Sequence, residues 1–324
     1  GFGAAAMEAS SHGLDQRRLD GVVLAAAGFS NLTRDHLDYH GDMAGYRAAK
    51  LRLFDTLLPV GAAAAACTEM DAETFAALRA IAARRRLRLL SVGETGEAIR
   101  LNAATPLPDG LAVTIEAFGA RQEIHLPLPG RFQADNALLA AALAVGSGQP
   151  ADRVLAALPH LLGVRGRMER AAVLPNGAAV YVDFAHTPDA LERLLAALRP
   201  HTTGRLHVLF GAGGDRDPGK RPLMGRAAAA QADVVWVTDD NPRSEDPATI
   251  RAAVLAGAPG AIDAGEREAA IAAALSDLRP GDVLAVAGKG HEAGQEIAGI
   301  KHPFDDVEVV RRLEEWVTAL EREA

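Results

Sequence analysis

The chain has 324 residues, of which 49% are hydrophobic and 23% charged, and a formal net charge of −8. That is enough apolar material for about two packed domains and too much for a disordered chain. The acidic balance argues against a nucleic-acid partner or an anionic membrane surface. Cys67 is the single cysteine, which excludes an intrachain disulfide framework and a Cys-rich zinc site. No apolar run reaches the roughly 18 residues of a membrane-spanning helix, so a cytoplasmic location is expected.

Residues 1–12 have no initiator Met and no basic, apolar signal pattern. They read as a strand entered halfway and running into a polar loop, so the chain is expected to begin inside a domain. Residues 22–29 form an apolar run between Gly21 and Ser30-Asn31 and read as a buried strand. Asp42 is placed to cap a helix over 43–57, which Pro59 and Gly61 close. A strand at 62–67, a helix from the Asp71 cap to about residue 86 and a strand at 87–92 follow. Alternation at 111–117 and 123–126, with Gly119 between, predicts a hairpin. Residues 135–145 are apolar on nearly every face and read as a buried helix, and 151–158 as another.

The pattern changes near residues 163–167. Residues 171–174 and 178–183 flank Pro175-Asn176-Gly177, a hairpin turn signal. Strands at 206–210, 234–237 and 283–286 then alternate with helices at 188–198, 222–230, 247–255, 266–275 and 305–320. This βαβ punctuation predicts a mostly parallel sheet covered on both faces. The expected class is α/β, in two domains spanning 1–164 and 165–324.

Residues 211–221 run Gly-Ala-Gly-Gly-Asp-Arg-Asp-Pro-Gly-Lys-Arg between a strand and a helix. Gly214 to Lys220 fits the spacing of a phosphate-binding loop, but Arg221 stands where a Ser or Thr would hold Mg²⁺, so no working P-loop is expected. Two more loops, at 239–243 and 288–292, follow later strands. Ligands of open parallel sheets bind beyond the carboxyl ends of strands. Arg216, Asp240, Arg243 and Glu292 are therefore expected in one crevice. Two guanidinium groups and two carboxylates suit a small zwitterion. The alternative is that these charges pair at the loop ends, Arg243 with Glu245 or Asp246.

In the first half, Glu8 and His36 follow strand ends and are plausible Mg²⁺ or Mn²⁺ ligands. His36 and His40 at i, i+4 also suggest zinc, but no H-E-x-x-H pattern is present, and a hydrogen-bonded loop role is the plainer alternative. Lys50 lies on an apolar helix face, where a snorkelling lysine is the simple explanation. Only four of the 34 basic residues are lysines, namely Lys50, Lys220, Lys289 and Lys301. A retained lysine points to chemistry that arginine cannot perform.

The stretches at 7–18, 31–41, 166–170 and 183–190, together with the Lys50 helix, resemble the Mur ligases of peptidoglycan precursor synthesis. Residues 211–221, Asp240-Asn241-Pro242-Arg243 and Gly288-Lys289-Gly290-His291-Glu292 are similar to the branch that adds the third amino acid. The resemblance implies part of a central, ATPase-like domain followed by a Rossmann-like C-terminal domain. The UDP-binding domain and the P-loop would lie outside the chain, which alone would be inactive.

The resemblance further implies ATP and Mg²⁺ as cofactors. ATP would phosphorylate the D-glutamate side carboxylate of UDP-N-acetylmuramoyl-L-alanyl-D-glutamate, and the amine of meso-2,6-diaminopimelate would attack the acyl phosphate. Glu8 would bind one Mg²⁺ and His36 another, with a carbamylated Lys50 as a further ligand. Ser10, Gln16 and Arg18 would hold the muramoyl-peptide. Asn136, Arg167 and Asp183 would contact ATP, with His186 nearby. Arg216, Asp240, Asn241, Pro242, Arg243, Gly288 and Glu292 would line the amino-acid pocket. A monomer acting on small molecules is expected. An L-lysine-adding relative, a folylpolyglutamate synthase-like ligase and a non-catalytic binding module remain as alternatives.

Overall fold

The computed structural model describes residues 3–32 and 37–323, with side chains up to residue 315 apart from Asp38. It divides into two compact units. Gly1–Ala104, Val113–Ile124 and Phe132–Pro159 form the first; Thr105–Ala112, His125–Arg131 and His160–Ala324 form the second.

The first unit opens with α1 (Ser11–Asp15), capped by Ser10, whose Oγ accepts from the Gly13 amide at 3.1 Å. β1 (Ala26–Phe29), α2 (Leu37–His40) and α3 (Met43–Arg52) follow. Asp42 caps α3 as expected, its Oδ1 accepting from Gly45 at 2.8 Å. The helix expected through residue 57 loosens after Arg52 into one π-helical turn, Leu53–Leu57. Next come β2 (Ala63–Cys67), α4 (Ala72–Arg84) and β3 (Arg88–Gly93), then β4 (Ile99–Leu107), β5 (Gly110–Ala117) and β6 (Ala120–Leu126). The helices α5 (Arg131–Gly146) and α6 (Ala151–Ala157) close the half. The six strands lie in sequence order, with β1, β2, β3 and β4 parallel. β2 is four alanines and a cysteine, all buried. The expected strand at 22–29 shrinks to β1, because pairing with β2 starts at Ala26, and Val23 is left 91% exposed.

The second unit is built on β7 (Glu169–Val173), β8 (Ala179–Asp183), α7 (Pro188–Leu198), β9 (Leu206–Phe210), α8 (Lys220–Gln231) and β10 (Val234–Thr238). It continues through α9 (Pro247–Leu255), β11 (Ile262–Gly265), α10 (Arg267–Asp277) and β12 (Val283–Ala287) to the hairpin β13 (Gly294–Ile297) and β14 (Ile300–Pro303) and the last helix, α11 (Asp306–Glu323). The sheet order is β11-β10-β9-β12-β8-β7, parallel except for the β7–β8 hairpin. Every residue of β8, β9 and β12 is buried, as a sheet covered on both faces requires. One core layer joins the sheet to α7, α8 and α9, and the opposite layer joins it to α10 and α11. Among the described residues no helix is long and apolar enough to cross a membrane.

Two buried polar groups tie this sheet down. Trp236 Nε1 donates to His207 Nδ1 at 3.4 Å, and His207 Nε2 lies 3.2 Å from Asp282 Oδ2. A neutral imidazole protonated at Nε2 satisfies both partners. Arg267 and Asp306, both fully buried, form a bidentate pair with two contacts of 2.7 Å, and Arg267 Nη2 also donates to the Ala287 carbonyl at 3.0 Å. The starts of α10 and α11 are thereby fixed to the end of β12.

Removing one partner of a buried pair leaves an uncompensated charge. Asp306→Ala is expected to destabilise the second unit by about 3–5 kcal/mol, and the apolar double variant Arg267→Met/Asp306→Leu by much less. Urea unfolding of both decides this, and equal losses would contradict it.

Burial pushes the His207 imidazole below its ordinary value of 6.5; Arg205 adds to this and Asp282 opposes it. The folded state therefore holds the neutral form. Its contribution is fully present above the unfolded value and is lost as pH falls below it, with a limiting slope of about 1.4 kcal/mol per pH unit. Unfolding midpoints measured between about pH 7.5 and pH 5 should fall more steeply for the wild type than for His207→Phe. Parallel curves would refute the assignment.

Candidate active site

In the second unit the chain steps from β9 outward to β10 and β11, then returns to place β12 between β9 and β8. The crevice at such a reversal lies beyond the carboxyl ends of the strands. Three loops meet there, at 211–220, 239–246 and 288–292. The first two are laced together. Gly214 donates to the Asn241 carbonyl at 2.9 Å, and Arg243 Nη1 donates to the Gly214 carbonyl at 2.7 Å. Asp215 accepts from Ser244 Oγ at 2.6 Å and donates its amide to Glu245 Oε1 at 2.6 Å. A Cβ on Gly214 would sit 1.9 Å from the Pro242 carbonyl oxygen, so a glycine is required for this approach.

The 240–243 segment also rests on β13. Gln295 Nε2 donates to the Asp240 carbonyl at 2.7 Å and the Glu296 amide to Asn241 Oδ1 at 3.0 Å. The Arg243 amide donates to the Glu296 carbonyl at 3.0 Å and the Ala298 amide to the Arg243 carbonyl at 2.7 Å. These bonds hold Arg243 at φ 53°, a left-handed conformation that arginine rarely adopts. Its guanidinium Nε lies 3.3 Å from Glu296 Oε2. The alternative pairing of Arg243 with Glu245 or Asp246 does not occur: Glu245 takes Arg221 at 2.8 Å, and Asp246 caps α9.

Behind this segment lies Lys289, with no exposure at all. Its Nζ donates to Asn241 Oδ1 at 3.0 Å and stands 3.5 Å from Asp240 Oδ1 and 3.6 Å from Glu292 Oε2. Asn241 Nδ2 donates to Glu292 Oε2 at 3.0 Å. Burial pushes the Lys289 ammonium below the usual lysine range, and Arg267 adds to this while Asp240, Glu292 and Asp306 oppose it. Gly288, at φ 116°, approaches so closely that a Cβ would lie 2.9 Å from Asp240 Oδ2. Asp240, Asn241, Pro242, Arg243, Gly288 and Glu292 are thus brought together. Arg216 stands exposed on the neighbouring 211–220 loop. Sequence reasoning passed over Lys289 and Glu296 as site residues; the scarcity of lysine was the one available signal for the former.

At the end of β8, Asp183 accepts from the Met168 and Ala185 amides, each at 2.8 Å. Burial pushes its carboxyl above the ordinary value; the two amides and Arg167 pull it back. The next residue, Phe184, carries Arg167 over its ring at 5.2 Å and packs against the His186 and His291 rings at 4.5 and 5.1 Å. Lys220 Nζ donates to the His186 carbonyl at 3.0 Å. Arg167, Asp183 and His186 therefore share one cluster. Asn136 belongs to the first unit, exposed on α5.

Elsewhere in the first unit, Lys50 projects from α3 with its Nζ 5.2 Å from the Tyr46 ring and 6.0 Å from the Phe29 ring. Glu8 is exposed in the segment without regular structure before Ser10, where the sequence pattern predicted a strand. The Ser10 hydroxyl serves as the cap of α1. Gln16 accepts from Arg18 and donates to the Tyr39 hydroxyl at 3.2 Å, which in turn donates to Asp15 at 2.9 Å. Ser10, Gln16 and Arg18 thus lie on one short stretch. His40 packs among the rings of His12, Tyr39 and Tyr46. His36 lies outside the described residues. Among the described residues, no group of three or more His, Cys, Asp and Glu side chains could hold a metal ion.

The Mur ligase middle domain matches residues 1–144, and the Mur ligase glutamate ligase domain matches residues 166–290. The UDP-N-acetylmuramoyl-L-alanyl-D-glutamate--2,6-diaminopimelate ligase of Caulobacter vibrioides is 57% identical over 310 residues, which are 95% of this chain and 63% of that protein. The enzyme of the same name from Chelativorans sp. is 54% identical, again over 95% of this chain and 63% of its own length. A solved structure bearing that name superposes with a TM-score of 0.76 at 35% identity, covering 95% of this chain and 64% of that one. Mycobacterium tuberculosis folylpolyglutamate synthase, 23% identical with a TM-score of 0.54 over 83% of this chain and 62% of its own, shares the fold alone. The chain spans 63% of the length of the curated relatives it matches first. With both domain models matched in order along an α/β fold, the chain belongs to the Mur ligase family.

Proposed function

We propose that the protein is an ATP-dependent ligase that joins meso-2,6-diaminopimelate to UDP-N-acetylmuramoyl-L-alanyl-D-glutamate through an acyl phosphate. The observation that carries this reading is the interlock of Asp240, Asn241, Arg243, Gly288 and Glu292 at the reversal of the second sheet. Carboxylates of a zwitterionic amino acid fit the guanidinium groups of Arg243 and Arg216, and an ammonium fits Asp240 and Glu292. The relatives named for diaminopimelate supply the choice of amino acid. We place the boundary between the middle and C-terminal domains near residue 164.

In this reading, Arg167, Asp183 and His186, with Asn136, contact ATP. The Phe184 ring and the Arg167 guanidinium offer a flat face and a positive charge, which suits a nucleotide. Ser10, Gln16 and Arg18 orient the muramoyl-peptide. Glu8 and His36 are assigned to Mg²⁺, with Lys50 as a carbamate. The ion would neutralise phosphate charge during transfer. A lysine amine can form a carbamate, and a guanidinium cannot, which is consistent with the retention of Lys50.

Two measurements test these assignments. In the protein expressed from its complete reading frame, kcat/KM for meso-diaminopimelate is expected to exceed that for L-lysine. Lysine would leave the Arg243 guanidinium without its carboxylate, and a site built for a polar group rejects an analogue lacking it. Arg243→Ala should cost diaminopimelate about 2–5 kcal/mol and lysine far less. An unchanged ratio removes Arg243 from specificity, and a wild-type preference for lysine removes the diaminopimelate assignment.

For Lys50, incubation with ¹³C-bicarbonate should give a carbamate carbon resonance that is absent in Lys50→Arg, with the variant nearly inactive. A resonance that persists in the variant, or near-normal activity, rejects the carbamate.

A further inference from the structure

We propose that Lys289 is a positioning residue of the amino-acid site: its buried ammonium is the ion around which Asp240, Asn241 and Glu292 are arranged to receive an amino acid. The inference rests on the amino-acid reading of this crevice given above.

Geometry carries the argument. An ammonium has three donors, pointing tetrahedrally. Lys289 Nζ faces three side-chain oxygens from two loops, Asn241 Oδ1 at 3.0 Å, Asp240 Oδ1 at 3.5 Å and Glu292 Oε2 at 3.6 Å. Asn241 Oδ1 is shared with the Glu296 amide at 3.0 Å, so the orientation of the carboxamide is fixed from both sides, with Nδ2 left to Glu292. Lys289 is fully buried, so removing its charge leaves its polar partners poorly compensated. A planar guanidinium directs its donors in one plane and needs more room. This explains a lysine here in a chain with four lysines among 34 basic residues.

Charge gives the second part. The charged groups facing Lys289 are Asp240 and Glu292 from the two loops and Arg267 and Asp306 from the helix starts behind. Arg267 and Asp306 are committed to each other. That leaves Asp240 and Glu292 around the Lys289 ammonium, with Lys220 also acting on Asp240. Both carboxylates keep lone pairs that a ligand ammonium can use. Without Lys289, Asp240 and Glu292 repel each other, and Asn241 loses its deepest anchor. The recognition geometry would then be lost although every ligand-contacting residue is still present.

The test compares the wild type with Lys289→Met in the protein from its complete reading frame. The KM for meso-diaminopimelate is expected to rise at least about tenfold, while the KM for ATP stays fixed and kcat at saturating amino acid changes less. An unchanged amino-acid KM, or equal losses for both substrates, would overturn the inference. If Lys289→Met fails to fold, the wild type still decides. Lysine labelled with ¹³C and ¹⁵N at its side-chain end gives one signal per lysine, and that of Lys289 is assigned by replacing each of the other lysines of the complete protein in turn. Saturating meso-diaminopimelate should shift the Lys289 signal, and a signal unmoved at saturation would overturn the inference. Failure of wild-type protein to bind meso-diaminopimelate at all, by calorimetry, would instead remove the amino-acid reading, and the inference with it.

Discussion

Two cations without access to water, Arg267 and Lys289, stand behind the loops that follow β10 and β12. Each requires oxygens at close range, because a buried charge is tolerated only when paired and hydrogen-bonded. Arg267 takes Asp306 and the Ala287 carbonyl, which brings the starts of α10 and α11 to the end of β12. Lys289 takes Asn241, Asp240 and Glu292, which draws the loop after β10 against the loop after β12. The positions of the side chains at the mouth of the crevice follow from these two demands. Hydrophobic packing on both faces supplies the stability of the sheet, but it does not specify how loops meet at its end.

The loops are prepared before any ligand arrives. Arg243 is held in a left-handed conformation by backbone bonds to Glu296 and Ala298. Its guanidinium is aimed by the Gly214 carbonyl and the Glu296 carboxylate. A residue kept in a sparsely populated conformation persists only where its surroundings over-determine it. Here the short β13–β14 hairpin provides that support, although it has little apolar burial of its own. On the proposed reading, the ordering of Arg243 is complete in the folded protein and is not charged to binding.

Much of this fold was legible in the sequence, for identifiable reasons. The strands β8, β9 and β12 are continuous runs of Val, Leu and Ala with a few polar breaks, and α7 starts at a Thr-Pro cap, so their ends stand out. β4 was missed because Asn102, Thr105 and Pro106 break its pattern, and its outward residues are exposed. β11, β13 and β14 are only four residues long, and β11 and β14 have no buried residue, so they leave no periodic signal. At the crevice, the motifs located the loops. The sequence did not reveal Glu296, since its role comes from a backbone pairing with Arg243 across more than fifty residues. Lys289 lay inside a quoted motif, but its burial is a property of the loop's turn.

Pairing of these charges with one another is compatible with the ligand role proposed for them. Nearly every ionic group at the crevice has a partner within the protein: Arg243 with Glu296, Glu245 with Arg221, Lys289 with Asp240 and Glu292. A ligand of one sign would have to break such a pair and leave a charge stranded in a partly buried place, at a cost of several kcal/mol. A zwitterion extends the pairs: its carboxylate adds to a guanidinium that has spare donors, and its ammonium adds to carboxylates that have spare lone pairs. The net charge of the crevice is then unchanged by binding. On the proposed reading, selection comes from how far apart the ligand's charged ends lie and how many there are, which distinguishes an amino acid with a second carboxylate from one without it more sharply than the overall field could.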